Sequence, residues 1–128
     1  MNCREIEKEL TPYYRVVGEG PFRILPNMML DGDGAVFFLH IEGRELTLKT
    51  DEVFENYYTF GLGSELDYLP YLDKICARFG VAWDWETCSL SLHFRRNDMS
   101  LAEALAKLES AARLIAGLGE NTFVRYEN

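Results

Sequence analysis

Apolar and polar residues alternate in two parts of the chain, and this period of two predicts β-hairpins. In the first, the almost wholly apolar run 35–41 is followed across Glu42-Gly43 by an alternating strand at 44–49. In the second, alternating strands at 81–85 and 89–95 flank a short turn. We expect the 35–41 run to form a buried central strand. The other strands should have one face in the core and one in water.

Apolar residues three and four positions apart predict two main helices, at about 65–79 and 100–117. Gly80 is a natural stop for the first helix. The second opens on Ser100-Leu101-Ala102-Glu103, a capping box, and we expect Gly117 and Gly119 to end it. Residues 121–126 are then a short final strand or a tail.

Two shorter helices are also expected. Asn2 can cap one that ends near Leu10, ahead of Thr11-Pro12. Thr50 or Asp51 can cap a middle helix that extends to Tyr58, because acids in a first turn suit the positive end of the helix dipole.

The order of these elements predicts an α+β fold, in which two hairpins form a mostly antiparallel sheet that packs with two main helices. Further β-favouring runs at 13–17 and 22–25 precede the first hairpin. The 128 residues match the common size of one domain, and no Pro/Gly/Ser-rich linker divides them. We therefore expect residues 1–128 to form a single compact domain.

The charge balance argues against direct nucleic-acid binding. The chain has 13 Lys and Arg against 21 Asp and Glu, a formal net charge of −8. Such a surface repels phosphate backbones, because nucleic-acid affinity comes mainly from basic groups that displace counterions. Two readings remain: the charge only keeps the protein in solution, or an acidic face binds a basic protein surface.

Cysteine usage and the amino end predict a reducing, cytoplasmic compartment. Cys3, Cys76 and Cys88 are an odd number with no close pair, and the start of the chain lacks the basic and apolar regions of a signal peptide. No apolar run approaches the length that spans a bilayer, so no membrane association is expected. The ligand pairs typical of zinc sites are also missing, so no metal or other cofactor is predicted.

A calcium loop at Asp31-Gly32-Asp33-Gly34 is excluded by its continuation. An EF-hand loop needs an oxygen ligand at its fifth position and Gly at its sixth, whereas Ala35 and Val36 occupy them here. The four residues are interpreted as a turn.

The histidines give no recognisable catalytic set, and we assign no catalytic residue. His40 lies in the apolar 35–41 run and is interpreted as a partly buried histidine. His93 shares a strand face with Ser89, Ser91 and Arg95, which would all be exposed on the wet side of the sheet.

Aromatic residues offer a different signal, because protein interfaces concentrate Trp, Tyr and Arg. Most rings must fill the core, and one or two left outside, Tyr68 or Tyr71 among the possibilities, would mark a binding surface. The predicted interaction residues are Asp51, Glu52, Glu55, Tyr57, Tyr58, Trp83, Trp85, His93 and Arg95.

The order of short motifs resembles a small prokaryotic and phage family catalogued as domain of unknown function 1828. The motifs are Pro21-Phe22, the Asp31-Gly32-Asp33-Gly34 turn, the hairpin ending near Thr50-Asp51-Glu52, the helix closing on Arg78-Phe79-Gly80-Val81, the hairpin at 85–94 and the final helix. The resemblance covers most of the chain. It implies a phage or mobile-element setting and carries over no active site.

Three hypotheses of function follow. The first is a non-catalytic acidic protein-interaction module, encoded by a phage or mobile element, that inhibits a host nucleic-acid-handling defence system. The second is a small hydrolase or transferase with an unrecognised site near His93 and Arg95. The third is a structural homo-oligomer, such as a homodimer that pairs through its last helix or an edge strand. The lack of a catalytic set favours the first.

Overall fold

The computed structural model describes residues 2–10, 14–26, 29–30, 33–34, 36–50, 65–84, 86–87 and 89–127, with the backbone alone at 26, 29–30, 33–34, 65–70 and 116–127. The helices in these ranges are α1 (Cys3–Glu9), α2 (Glu65–Phe79) and α3 (Leu101–Glu127). The strands are β1 (Tyr14–Val17), β2 (Phe22–Pro26), β3 (Met29–Leu30), β4 (Asp33–Gly34), β5 (Phe37–Glu42), β6 (Glu45–Thr50), β7 (Ala82–Asp84) and β8 (Ser89–Arg95). The predicted middle helix at 51–58 lies outside the described residues.

Six strands form one antiparallel sheet in the order β1-β2-β5-β6-β8-β7, so the predicted α+β fold is confirmed. Both predicted hairpins are present. The first turns through Gly43-Arg44, where Gly43 has a φ of 61°, a left-handed conformation that glycine adopts without strain. β6 and β8 pair with each other and thereby join the two hairpins. β3 and β4 form a separate two-stranded ribbon.

One face of the sheet forms the core with the helices. Leu39, Leu48 and Leu92 lie opposite one another on adjacent strands and are all buried. α3 contacts β6 and β8, and α2 packs against α3. The buried apolar side chains that form this core are Ile6, Val16, Phe22, Ile24, Phe37, Leu39, Leu46, Leu48, Leu72, Val81, Leu90, Leu92, Phe94, Leu101, Ala104, Leu105, Leu108, Ala111, Ala112 and Ile115.

Two expectations about burial were wrong. The 35–41 run is not buried on both faces: Phe37 and Leu39 face the core, whereas His40 is exposed, because the pleat directs alternate side chains to opposite faces. Ser89 was expected in water but is only 2% exposed, and its hydroxyl shares a hydrogen bond of 2.6 Å with Thr87 Oγ1. A strand near the sheet edge can thus bury a small polar residue whose hydroxyl has a partner.

Side-chain caps confirm the predicted starts of the first and the last helix. Asn2 Oδ1 accepts from the Glu5 N–H at 2.9 Å, and Ser100 Oγ accepts from the Glu103 N–H at 3.1 Å. Each bond satisfies one of the amide groups that a helix leaves unpaired at its amino end. Gly80, with a φ of 69°, follows the last residue of α2 as expected.

The predicted end of the last helix was wrong, since α3 continues to Glu127 through Gly117 and Gly119 and includes the 121–126 segment. Glycine weakens a helix by about 1 kcal/mol relative to Ala, but it ends one only where the chain turns into the left-handed conformation. The intervening Ala116, Leu118 and Glu120 are good helix formers, which favours continuation.

Helix α1 and the first half of α3 form polar contacts with the edge strand β1. Glu7 Oε1 accepts a hydrogen bond of 2.8 Å from the Val16 N–H, and the Cys3 thiol donates to the Gly18 carbonyl at 3.0 Å. The Tyr14 hydroxyl donates to Glu109 Oε1 on α3. These contacts give polar partners to a strand whose outer side has no neighbouring strand within the described part of the chain.

The contribution of α3 to the core predicts a large difference between two leucines of that helix. Leu105 is 1% exposed and Leu114 is 44% exposed. We expect Leu105→Ala to lower the free energy of unfolding by about 2–5 kcal/mol, because it leaves a cavity in the core. Leu114→Ala should change it by less than about 0.5 kcal/mol. Urea denaturation measures both, and equal losses would contradict the described position of α3.

The Tyr14 contact predicts a pH dependence at alkaline pH. Burial, and then the hydrogen bond and charge of Glu109, raise the pKa of Tyr14 above its ordinary value of 10.0, while Arg113 opposes the rise. A raised folded-state pKa means that this stabilisation is fully present below the unfolded pKa and is lost as pH increases through the folded pKa. The stability advantage of the wild type over Tyr14→Phe should therefore shrink above about pH 10. Urea denaturation at pH 8 and pH 11 tests this, and a constant advantage would refute it.

Candidate functional site

The structure describes three of the nine predicted interaction residues. These are Trp83, His93 and Arg95. The other six lie outside the described residues: Asp51, Glu52, Glu55, Tyr57, Tyr58 and Trp85.

Trp83 lies on the core side of the edge strand β7. It stands opposite Leu90 of β8 and packs, partly buried, against the core cluster. Most of its ring therefore contributes to folding, which leaves less of it for a partner.

His93 and Arg95 lie on the second face of the sheet, which we call the outer face. The side chains of this face in the central strands are exposed or partly exposed. They comprise Arg23, Leu25, Phe38, His40, Glu42, Glu45, Thr47, Lys49, Ser91, His93 and Arg95. Charges of both signs lie among apolar groups here, so the outer face has no single acidic patch.

A small polar cluster on the outer face surrounds His93. Thr47 Oγ1 lies 3.0 Å from His93 Nδ1, and Glu45 Oε1 lies 3.8 Å from His93 Nε2 and 3.4 Å from the Arg95 guanidinium. His40 of β5 stands opposite Thr47 in the register, so two histidines flank one threonine across three strands. The cluster arises because these residues occupy the same side of the pleat.

The cluster contains the three groups of a nucleophilic triad, arranged side by side in space: the hydroxyl of Thr47, the imidazole of His93 and the carboxylate of Glu45. Its geometry does not favour that chemistry. The 3.8 Å gap between Glu45 and His93 exceeds a hydrogen bond, and their side chains are 44% and 59% exposed. Ion pairs this exposed are screened by water and contribute little. The arrangement is typical of a polar strand face in solvent.

An open cavity of about 400 Å³ lies elsewhere, at one end of the sheet beside β5. Among the described interaction residues, neither His93 nor Arg95 lines it. Its lining residues are Glu19, Gly20, Pro21, Phe22, Leu39, His40, Ile41 and Glu42. No pattern in the sequence indicates this cavity, because it depends on where β2 stops pairing with β5.

An aromatic ring is left outside the core on α2. Tyr71 is 49% exposed, and Asp73 and Lys74 beside it are exposed as well. Leu114, on the adjacent helix α3, is the other strongly exposed large apolar side chain in the described part of the chain. Tyr71 is thus an aromatic ring left outside the core, the feature that would mark a binding surface.

The sequence segment that leads up to Tyr71 carries charge of one sign only. Between Lys49 and Lys74 the sequence contains no Lys or Arg, and we call residues 50–73 the acidic segment. Its acids are Asp51, Glu52, Glu55, Glu65, Asp67 and Asp73. These six account for most of the net charge of −8. A signal of this kind is visible in the sequence only when charge is counted by segment instead of over the whole chain.

The described residues include no group that could hold a metal ion, and the surroundings of Cys76 disfavour reaction at its thiol. No group of three or more His, Cys, Asp or Glu in these ranges could hold a metal ion. Burial, and then the charge of Asp73, raise the pKa of the Cys76 thiol. This disfavours the nucleophilic thiolate, and Cys76 packs, partly buried, against the core.

Comparisons with known proteins add no function. No family model, curated protein or solved structure matches the chain. Among the helices in the described ranges, none combines the length and apolar character needed to cross a membrane.

The exposure of the polar cluster predicts that its side chains can be removed with little effect on folding. Thr47→Ala and His93→Ala should each change the free energy of unfolding by less than about 1 kcal/mol, because exposed pairs contribute little. Denaturation of the single and double variants also gives the coupling between the two residues. A coupling well above that limit would indicate a preorganised site.

Proposed function

We propose that this protein is a non-catalytic, acidic protein-interaction module, with a binding surface formed by the acidic segment and Tyr71. The observation that carries the proposal is the half-exposed Tyr71 ring at the end of a segment that contains only acidic charges. Aromatic rings supply contact area at interfaces, and neighbouring charges set partner choice and association rate.

The partner is a protein with a basic surface, such as one that binds nucleic acid. An uninterrupted negative segment attracts Lys and Arg and repels phosphate, so the partner's basic surface is the better match than the nucleic acid itself. The resemblance in motif order implies a phage or mobile-element setting. In that setting it acts in the host cytoplasm as an inhibitor of a nucleic-acid-handling defence protein.

The hydrolase or transferase hypothesis receives less support. It requires His93 and Arg95 to meet carboxylates in a pocket, whereas both residues are more than half exposed on the outer face. The homo-oligomer hypothesis has one supporting observation, the exposed Leu114 on the last helix. Light scattering separates it from the proposal, since a monomer mass that does not change with concentration excludes it.

A binding assay against defined probes tests the proposed function. The full chain is titrated against a panel of basic DNA-binding proteins and against duplex DNA, at low and high salt. We expect binding to at least one basic protein, weakened by salt, and none to DNA. Tyr71→Ala should weaken that binding about tenfold or more, the effect expected of an aromatic anchor.

A matched pair of charge variants separates the acidic segment from net charge alone. The first variant is Asp51→Asn, Glu52→Gln and Glu55→Gln; the second is Glu5→Gln, Glu86→Gln and Glu103→Gln, which removes the same charge from exposed positions elsewhere. Only the first should weaken binding and slow association. Equal effects, or binding to none of the basic probes, would refute the proposal.

A further inference from the structure

The cavity beside β5 is a notch in the sheet. β2 pairs with β5 only from Phe22 opposite Leu39 to Ile24 opposite Phe37, whereas β6 pairs with β5 as far as Glu42. The last residues of β5 therefore have a strand neighbour on one side only. The other side opens into the cavity of about 400 Å³, which we call the β5 notch.

The backbone of Ile41 faces the β5 notch. Glu42 and Glu45 flank the two-residue turn and are the hydrogen-bonded pair that closes the hairpin. Hydrogen-bonding direction alternates along a strand, so His40 bonds toward β6 and Ile41 points its N–H and C=O the other way. If the register between β2 and β5 continued beyond Phe22, Gly20 would lie opposite Ile41. Across the described residues, no backbone hydrogen bond joins the two.

The ladder between β2 and β5 stops at Phe22. Gly20 and Pro21, the preceding residues of the chain, line the β5 notch without joining that ladder. The N–H donor and the C=O acceptor of Ile41 therefore lie side by side at the wall of the cavity. An unpaired strand edge of this kind is a template for another extended chain.

We propose that the β5 notch binds an extended peptide segment of a partner protein that carries a Lys or Arg side chain. The peptide forms a backbone hydrogen-bonded pair with Ile41 and places its cationic group near Glu19 and Glu42, which both line the cavity. Ile41 and Phe22 face the inner side of the sheet, so they contact the side chain of the peptide residue that pairs with Ile41. The next residue of the peptide carries the cationic group, on the same side as Glu42. The charge of the lining disfavours a phosphate or a carboxylate ligand.

The β5 notch shares no lining residue with the acidic segment or with Tyr71. The β5 notch lies at the Glu45 end of β6, whereas the acidic segment begins at Thr50, the opposite end of that strand. Either site can bind its ligand when the other fails, so the inference does not rest on the proposed function.

An NMR titration of the full chain tests the inference. The probe is acetyl-Val-Lys-Val-amide, and the controls are the same peptide with Glu in place of Lys and n-butylammonium alone. We expect weak binding of the Lys peptide, on the order of millimolar, since one backbone pair and one ion pair are formed. The Ile41 and Gly20 amides should shift, and hydrogen exchange at Ile41 should slow. Neither control should slow exchange at Ile41.

Variants assign the binding to the β5 notch. Glu19→Gln and Glu42→Gln should each weaken the affinity about two- to fivefold, as expected for an exposed charge pair. Glu86→Gln and Tyr71→Ala should leave it unchanged. The inference is overturned if the Ile41 amide does not respond, if the Lys and Glu peptides act alike, or if Ile41 is as protected as His40 without peptide. Shifts at Ile41 that depend on protein concentration alone would show that a second copy of the chain fills the notch, and would also overturn it.

Discussion

The packing of α3 against the inner face of the sheet is the interaction on which the remaining structure depends. Ala104, Ala111 and Ala112 are wholly buried on this helix together with Leu105 and Leu108. Small side chains allow a helix axis to approach a sheet closely, and the two leucines then fill the space that is left. α2 packs on α3, and β1 is tied to it through Tyr14. The positions of both thus follow from this contact.

The elements were predictable because their signals are local. The alternation of 44–49 and 89–95 and the capping signals at Asn2 and Ser100 each involve only near neighbours in the sequence. The sheet order was not predictable in the same way, since the pairing of β6 with β8 joins residues more than forty positions apart. The burial errors have a similar origin. An apolar run does not reveal that one face of its strand stays open, and so His40 was predicted to be partly buried although it is exposed.

The candidate sites also depend on contacts between distant parts of the sequence, which local patterns do not reveal. Tyr71 could be named from sequence only as one of several rings, because the share of aromatic residues left outside a core depends on which helix face meets its neighbour. The His93 cluster was anticipated in part, as His93 and Arg95 share a strand face by parity. Thr47 and Glu45 join them through the β6–β8 register, and the β5 notch follows from where one ladder stops. These features become visible only after the fold is known.

The hydrogen bond from the Val16 N–H to Glu7 makes the first helix a cover for the open edge of the sheet. Its three helical glutamates, Glu5, Glu7 and Glu9, leave it poorly suited to fold alone, and its one buried side chain is Ile6. The main role of α1 is thus protective: it occupies the edge at which two copies of the chain would otherwise join strand to strand. Proteolysis that detached this short helix would remove Ile6 from the core and would expose the outer edge of β1 to strand pairing between copies of the chain.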